Sequence, residues 1–263
     1  MKKVVLFLLL CCPSFVKAKN VVQISIPKTG TYLLMKCIMG ITGRHDFFSD
    51  INAPIDYYIV DAKKVDRIRL NENHWNIHLF FDKAFIPFLN NDKNAFFFIY
   101  RDPRDQLVSM AYYMLRNWKY ARWPRAKEIS FNELIMELIV SGEIYNDDPP
   151  CKNINDLYQK YIPWMHQSAM CVLRFEDLIG PKGGGSLEAQ YASIKKIAKH
   201  LDVFLTEKQV RQKAASLFGG THSFRKGQIG SWKSHFTPEH KAAFKEVAGQ
   251  LLIDLGYEES FDW

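Results

Sequence analysis

The chain has 263 residues and a formal net charge of +7; 48% of its residues are hydrophobic, 14% aromatic and 24% charged. These proportions exclude disordered, collagen-like and disulfide-scaffold classes, and a chain this long can bury a sizeable core. The 35 basic residues form no concentrated stripe, so their surplus over 28 acidic ones points to a local anion site and away from nucleic-acid binding.

In chain order, Lys2 and Lys3 precede an apolar run over residues 4–12, and Val16-Lys17-Ala18 places small residues at positions −3 and −1 of a cleavage site. That order predicts a secretory signal peptide over residues 1–18, a single domain over 19–263 and export. The apolar run is too short for a stable membrane span, which needs about 20 residues. Cleavage would leave a net charge of +4 and three cysteines, Cys37, Cys151 and Cys171. Their odd number and wide spacing predict neither a disulfide framework nor a metal site.

Residues 21–26 read as a first strand, followed by a turn at 27–30 and a helix to about residue 41. The continuous apolar run at 95–100, AFFFIY, predicts a strand buried on both faces. A helix should follow over 104–116, with Leu107, Val108, Ala111, Met114 and Leu115 on its core side. Ser130 and Glu133 form a capping box for a helix to about Val140. Residues 171–175 predict another buried strand, and Thr237-Pro238 an N-cap and first position of the last helix. Loops are expected at 147–150 and 181–186, the second a surface excursion carrying three consecutive glycines. Strands alternating with helices give an α/β fold: one domain, a central parallel β-sheet flanked by helices.

Chemistry concentrates in three segments. In Ile26-Pro27-Lys28-Thr29-Gly30-Thr31 a strand enters a tight turn and then a helix. A glycine there lets the backbone approach an anion at the helix N-terminus, where Lys28 adds a charge and Thr29 and Thr31 add hydroxyls. It lacks the G-x-x-x-x-G-K-[ST] spacing of an ordinary ATPase loop. The second segment, residues 100–109, again runs from strand to helix and puts Arg101 at the carboxyl edge of the sheet, with Ser109 about two helical turns on. Arg104 and Asp105 read there as a solvated cation and a helix-dipole partner. The third, residues 224–233, sets Arg225 and Lys226 before Gly227, Gly230 and Trp232, a basic loop able to wrap a phosphate.

The three segments together, in this order, resemble the signature elements of sulfotransferases that use 3′-phosphoadenosine 5′-phosphosulfate (PAPS). Arg174-Phe175-Glu176-Asp177-Leu178 resembles the family's strand-end segment, and the stretch from Asp177 through the triple glycine resembles its bacterial-type members. The resemblance implies a scaffold like that of P-loop NTPases. It implies that Lys28, Thr29, Gly30 and Thr31 hold the 5′-phosphosulfate, and that Arg101, Ser109, Arg225, Lys226 and Gly227 hold the 3′-phosphate. It further implies that His78, in His78-Leu79-Phe80-Phe81, deprotonates the acceptor, with Lys28 neutralising the bridging oxygen as the bond breaks. The acceptor would be a hydroxyl or amine of a small molecule or glycan, with PAPS as co-substrate and no metal.

Three departures stand out. Leu33 occupies a position where the family often has Trp, so Tyr32 or another ring would stack on adenine. Phe80 replaces a proline, and Ser231 an aspartate before Trp232. His74 is a rival base four residues before His78. The basic aromatic stretch at 118–125 suits an acceptor cleft as well as a solvated loop. Two other readings stand beside the transferase: a nucleotide or small-molecule kinase on a related scaffold, and a non-catalytic adenosine-bisphosphate-binding protein.

Overall fold

The computed structural model of the chain describes residues 19–43, 47–48, 74–116, 125–141, 151–221 and 224–263. The expected signal peptide, the loop at 147–150, His222 and residues 118–124 lie outside the described residues.

Five parallel strands form one sheet in the order β2-β3-β1-β4-β5, with β1 at Asn20–Ser25, β2 at Phe47–Phe48, β3 at His74–Ile77, β4 at Asn94–Tyr100 and β5 at Met170–Arg174. The centre of the sheet is built from apolar runs, and alternate residues serve opposite faces. Val22 and Ile24 pair with Phe96 and Phe98 and enter one core, with Met170. Val21 joins Ala95, Phe97, Ile99, Cys171 and Leu173 in the other. Phe96, Phe97 and Phe98 are all fully buried, each contributing about 1.5–3 kcal/mol of transfer free energy.

Helices cover both faces. The first core is closed by α2 (Pro103–Arg116), α3 (Phe131–Val140), α4 (Ile154–Tyr161) and α8 (Pro238–Asp254). The second is closed by α1 (Thr31–Thr42), α5 (Phe175–Ile179), α6 (Leu187–His200) and α7 (Glu207–Leu217). The capping box at Ser130 and Glu133 forms as expected. At Thr237 the box closes with His240 in the reciprocal position, and the His240 ring also reaches the Asn132 carbonyl at 2.8 Å.

Three expectations need correction. Leu115 is exposed, because the last turn of α2 runs past the packed layer while Leu107, Val108 and Ala111 stay within it. Arg104 is buried, not solvated, and Asp105, in the first turn of α2 as expected, is buried beside it. The triple glycine is a surface excursion only in part: Gly184 is exposed, but Gly183 is buried, and a Cβ there would lie 2.6 Å from the Gly227 carbonyl oxygen. Gly183 accepts from the Ile229 N–H at 2.9 Å, so the glycines let this turn pack directly beneath residues 227–229. Cys37, Cys151 and Cys171 are buried, and no disulfide joins them.

Candidate active site

The carboxyl ends of the central strands bring the predicted segments together. β1 ends at Ser25, opposite Ile99 of β4, while β3 ends at Ile77 beside Ile24. Ser25 and His78 therefore stand next to each other, one position past the paired residues. Arg101 follows β4 directly. This edge of an open parallel sheet is where such folds place ligands.

The turn between β1 and α1 is pinned from inside. Gln106 of α2 donates to the Pro27 carbonyl at 2.8 Å. The Thr29 hydroxyl lies 2.7 Å from the Ile26 carbonyl and 2.9 Å from that of Ile99. Its proton is thus already given to the backbone, and the donor role expected of that hydroxyl is not met. Gly30 has φ +108°, and a Cβ there would lie 2.7 Å from Cδ2 of Phe175. Only glycine fits both the left-handed backbone and the close approach. The residue opens α1 without a side-chain cap bond, which leaves the helix N-terminus facing the turn. Tyr32, in the first turn, is half-buried.

Thr31 is buried, and its hydroxyl is 2.8 Å from that of Ser25. The Ser25 carbonyl lies 2.6 Å from Nδ1 of His78. A carbonyl can only accept, so Nδ1 carries the proton and Nε2 holds the basic lone pair. His78 keeps part of its surface accessible, yet burial pushes its pKa down to about 4, against the Ser25 hydrogen bond and with help from the Lys28 charge. The ring is neutral at pH 7, as a base must be before it takes a proton. His74 opens β3 and His78 follows its last residue, so the two histidines stand at opposite ends of a strand and not on one helix face.

Arg101 is buried and stacks on the Phe175 ring at 4.2 Å. Its Nη2 donates to the Gln228 carbonyl at 2.8 Å and lies 3.5 Å from Asp105. Its Nε is buried with no hydrogen-bond partner among the described residues. Asp105 accepts from the N–H groups of Gly230 at 2.8 Å and Trp232 at 2.9 Å. It thereby ties the third segment to α2; burial raises its pKa, and Arg101 and the two N–H groups oppose the rise.

Arg225 stacks on Tyr112 at 4.0 Å. Ser109, half-buried, stands three residues before Tyr112 on α2, which places both toward the same helix face. Lys226 is exposed and Gly227 half-buried beside them. Lys28 lies over the Tyr113 ring at 4.1 Å. Burial, then the charges of Arg101, Arg116 and Arg225, push the Lys28 pKa down to about 8. Burial also lowers that of Arg225. Four cations from three segments thus repel one another across one cleft, an arrangement that an anion relieves.

The sequence reading missed Arg116, Tyr112, Gln106 and the loop-holding role of Asp105. Arg116 had a usable signal: it lies three and four residues after Tyr113 and Tyr112, the spacing of one helix face. Gln106 and Asp105 had none, because their partners are backbone groups distant in sequence.

The sequence matches the family described as "Sulfotransferase domain" over residues 18–256. The chain belongs to this sulfotransferase family. Among individual relatives, human Sulfotransferase 2A1 is 23% identical over 94% of this chain and 89% of its own length, and the rat protein of the same name 24% over 90% and 86%. The crystal structure of mouse sulfotransferase SULT7A1 complexed with PAP (3′-phosphoadenosine 5′-phosphate) superposes with a TM-score of 0.62 at 18% identity. The match covers 90% of this chain and 86% of that one. Retinol dehydratase in complex with androsterone and inactive cofactor PAP gives 0.57 at 16% identity, over 89% and 81%. At these identities the structural likeness shows the shared α/β sulfotransferase fold.

Proposed function

We propose that this sulfotransferase moves a sulfonate group from PAPS to a hydroxyl or amine of a small-molecule or glycan acceptor, with His78 as the general base. The observation that carries this reading is the convergence of Lys28, Arg101, Arg116 and Arg225 on one cleft, beside a neutral histidine with its basic nitrogen defined. The PAP in the related SULT7A1 and retinol dehydratase structures supports the choice of nucleotide.

The residues suit such a ligand. The buried Nε of Arg101 lacks a partner among the described residues, a costly state that a phosphate oxygen would satisfy. Gly30 opens α1 with no side-chain cap bond, which leaves the N–H groups of the helix N-terminus to a phosphosulfate. Arg101, Ser109, Arg225, Lys226 and Gly227 would address the 3′-phosphate, and Lys28 with the Gly30–Thr31 backbone the 5′ end.

PAPS supplies the sulfonate and a bridging oxygen that gains negative charge as it leaves. The protein's share is positioning and electrostatics. Lys28, half-discharged near pH 8 in the free protein, is driven toward its charged form by the bound anion. That anion also offsets the Lys28 charge that depresses His78, so His78 becomes a better base when the donor is in place. Nε2 takes the acceptor proton while Nδ1 stays held by the Ser25 carbonyl.

A transfer assay with radiolabelled PAPS and a panel of phenols, alcohols, amines and glycans tests the reading. Transfer by the wild type, lost in His78→Ala with PAP binding intact, is the expected result. PAP binding without transfer to any acceptor would favour the binding protein, and a requirement for ATP and magnesium would favour the kinase. We also infer that residues 1–18 act as an export signal, supported by a family match that starts at residue 18. Sequencing of the exported protein should begin at Lys19.

A further inference from the structure

The family match ends at residue 256, yet the next seven residues fold back onto the loop that carries Arg225 and Lys226. Arg104 is the hub. Its guanidinium grips Asp102 through two bonds of 3.0 and 2.8 Å and pairs with Glu258. Its faces lie against Trp232 at 4.0 Å and Trp263 at 4.6 Å. Trp263 in turn meets Trp232 edge-on, with ring centroids 5.5 Å apart. Arg104 and Asp105 are adjacent and buried, and together they hold one loop residue: Asp105 the backbone N–H of Trp232, Arg104 its ring.

The same seven residues reach the strand ends. Tyr257 donates to Glu176 at 2.9 Å, and Glu176 accepts from the Asp102 N–H at 3.0 Å. The Phe261 ring lies so close to Gly249 that a Cβ there would collide with it, beside the break in α8 at Ala248. The segment is therefore seated at Glu176, at Arg104 and at Gly249, three points along its length.

We propose that residues 257–263 form a strap whose Glu258 and Trp263 position the nucleotide loop, through Arg104 and Trp232, for recognition of the 3′-phosphate. This rests on the PAPS reading. The strap's contacts run to Glu176, to Arg104, to Gly249 and to Trp232 in the loop of Arg225 and Lys226, so its effect falls on the 3′-phosphate contacts and spares the 5′ end. Misplacing such contacts by about an ångström costs on the order of tenfold to a hundredfold.

The test is calorimetry of PAP and 5′-AMP binding to the wild type, Trp263→Ala and Glu258→Gln, with Phe88→Leu as a core variant for loss of stability alone. Trp263→Ala should weaken PAP about tenfold or more while leaving 5′-AMP within twofold, and should raise the KM for PAPS with kcat at saturation little changed. Glu258→Gln, the milder change, should shift PAP the same way by less. Phe88→Leu should alter neither. Equal weakening of PAP and 5′-AMP would show a merely structural segment and overturn the proposal, as would unchanged PAP binding in both strap variants. Wild-type protein that fails to prefer PAP over 5′-AMP would remove the donor reading itself, and this proposal with it.

Discussion

Replacing Gly30 with alanine adds one methyl group at the point where backbone strain, core packing and the anion cradle meet. The residue sits at φ +108°, a left-handed conformation that costs a side-chain-bearing residue about 1–2 kcal/mol. The new carbon would lie 2.7 Å from Cδ2 of Phe175 and 3.2 Å from Cδ1 of Ile99, and overpacking of that kind costs about 1–3 kcal/mol. Both neighbours are buried in the second core, so neither can swing into solvent. The total, about 2–5 kcal/mol, should lower the melting temperature by roughly 5–15 °C in a domain of this size. A second effect follows from geometry. Phe175 carries the Arg101 guanidinium at 4.2 Å, and a displaced ring moves Arg101 with it. Equilibrium urea unfolding and PAP calorimetry on the same preparation read the two effects separately. A variant within about 0.5 kcal/mol of wild type with unchanged PAP affinity would refute the account of the turn.

Three further outcomes follow from the site. PAP affinity should fall as pH rises above about 8, approaching about tenfold per unit, because Lys28 loses there the charge that the anion needs; calorimetry from pH 6.5 to 9.5 checks it, and Lys28→Arg should flatten the curve. In the free protein His78 should stay neutral down to about pH 4 and titrate higher once PAP is bound, as read by NMR of the ring. Because its folded pKa lies below the ordinary histidine value, the stability it contributes should decline as pH falls from about 6.5 toward 4. Asp105→Asn should destabilise the fold by about 2–4 kcal/mol, since one of two buried N–H groups loses its acceptor and Arg101 loses a buried counter-charge; urea unfolding, with hydrogen exchange at Gly230 and Trp232, measures it.

Much of this architecture is legible in the sequence because it rests on local pattern. The two strand–turn–helix units at residues 20–42 and 94–116 combine a short apolar run, a turn and helical periodicity, and both appear close to their expected bounds. β3 left no such mark. His74-Trp75-Asn76-Ile77 has no apolar run, and it is a strand because it pairs with β1, a tertiary fact. The interior of the site was hidden for a related reason. Arg104 and Asp105 look like an ordinary charged helix start, and only the fold brings Trp232, Glu258 and Trp263 around them. The three glycines of 183–185 look like a loose excursion until Gly227 and Ile229 are found packed on them. Composition and spacing report what a segment prefers, and contacts between segments decide what it touches.

The claim at the centre is that the four-cation cleft is a 3′-phosphoadenosine site. Calorimetric titration of the purified protein with PAP, beside ATP and 5′-AMP, tests it most directly. The account predicts that PAP binds most tightly, that removing the 3′-phosphate weakens binding sharply, and that Arg101→Ala abolishes the difference. ATP binding as tightly as PAP, with Arg101→Ala indistinguishable from wild type, would contradict it.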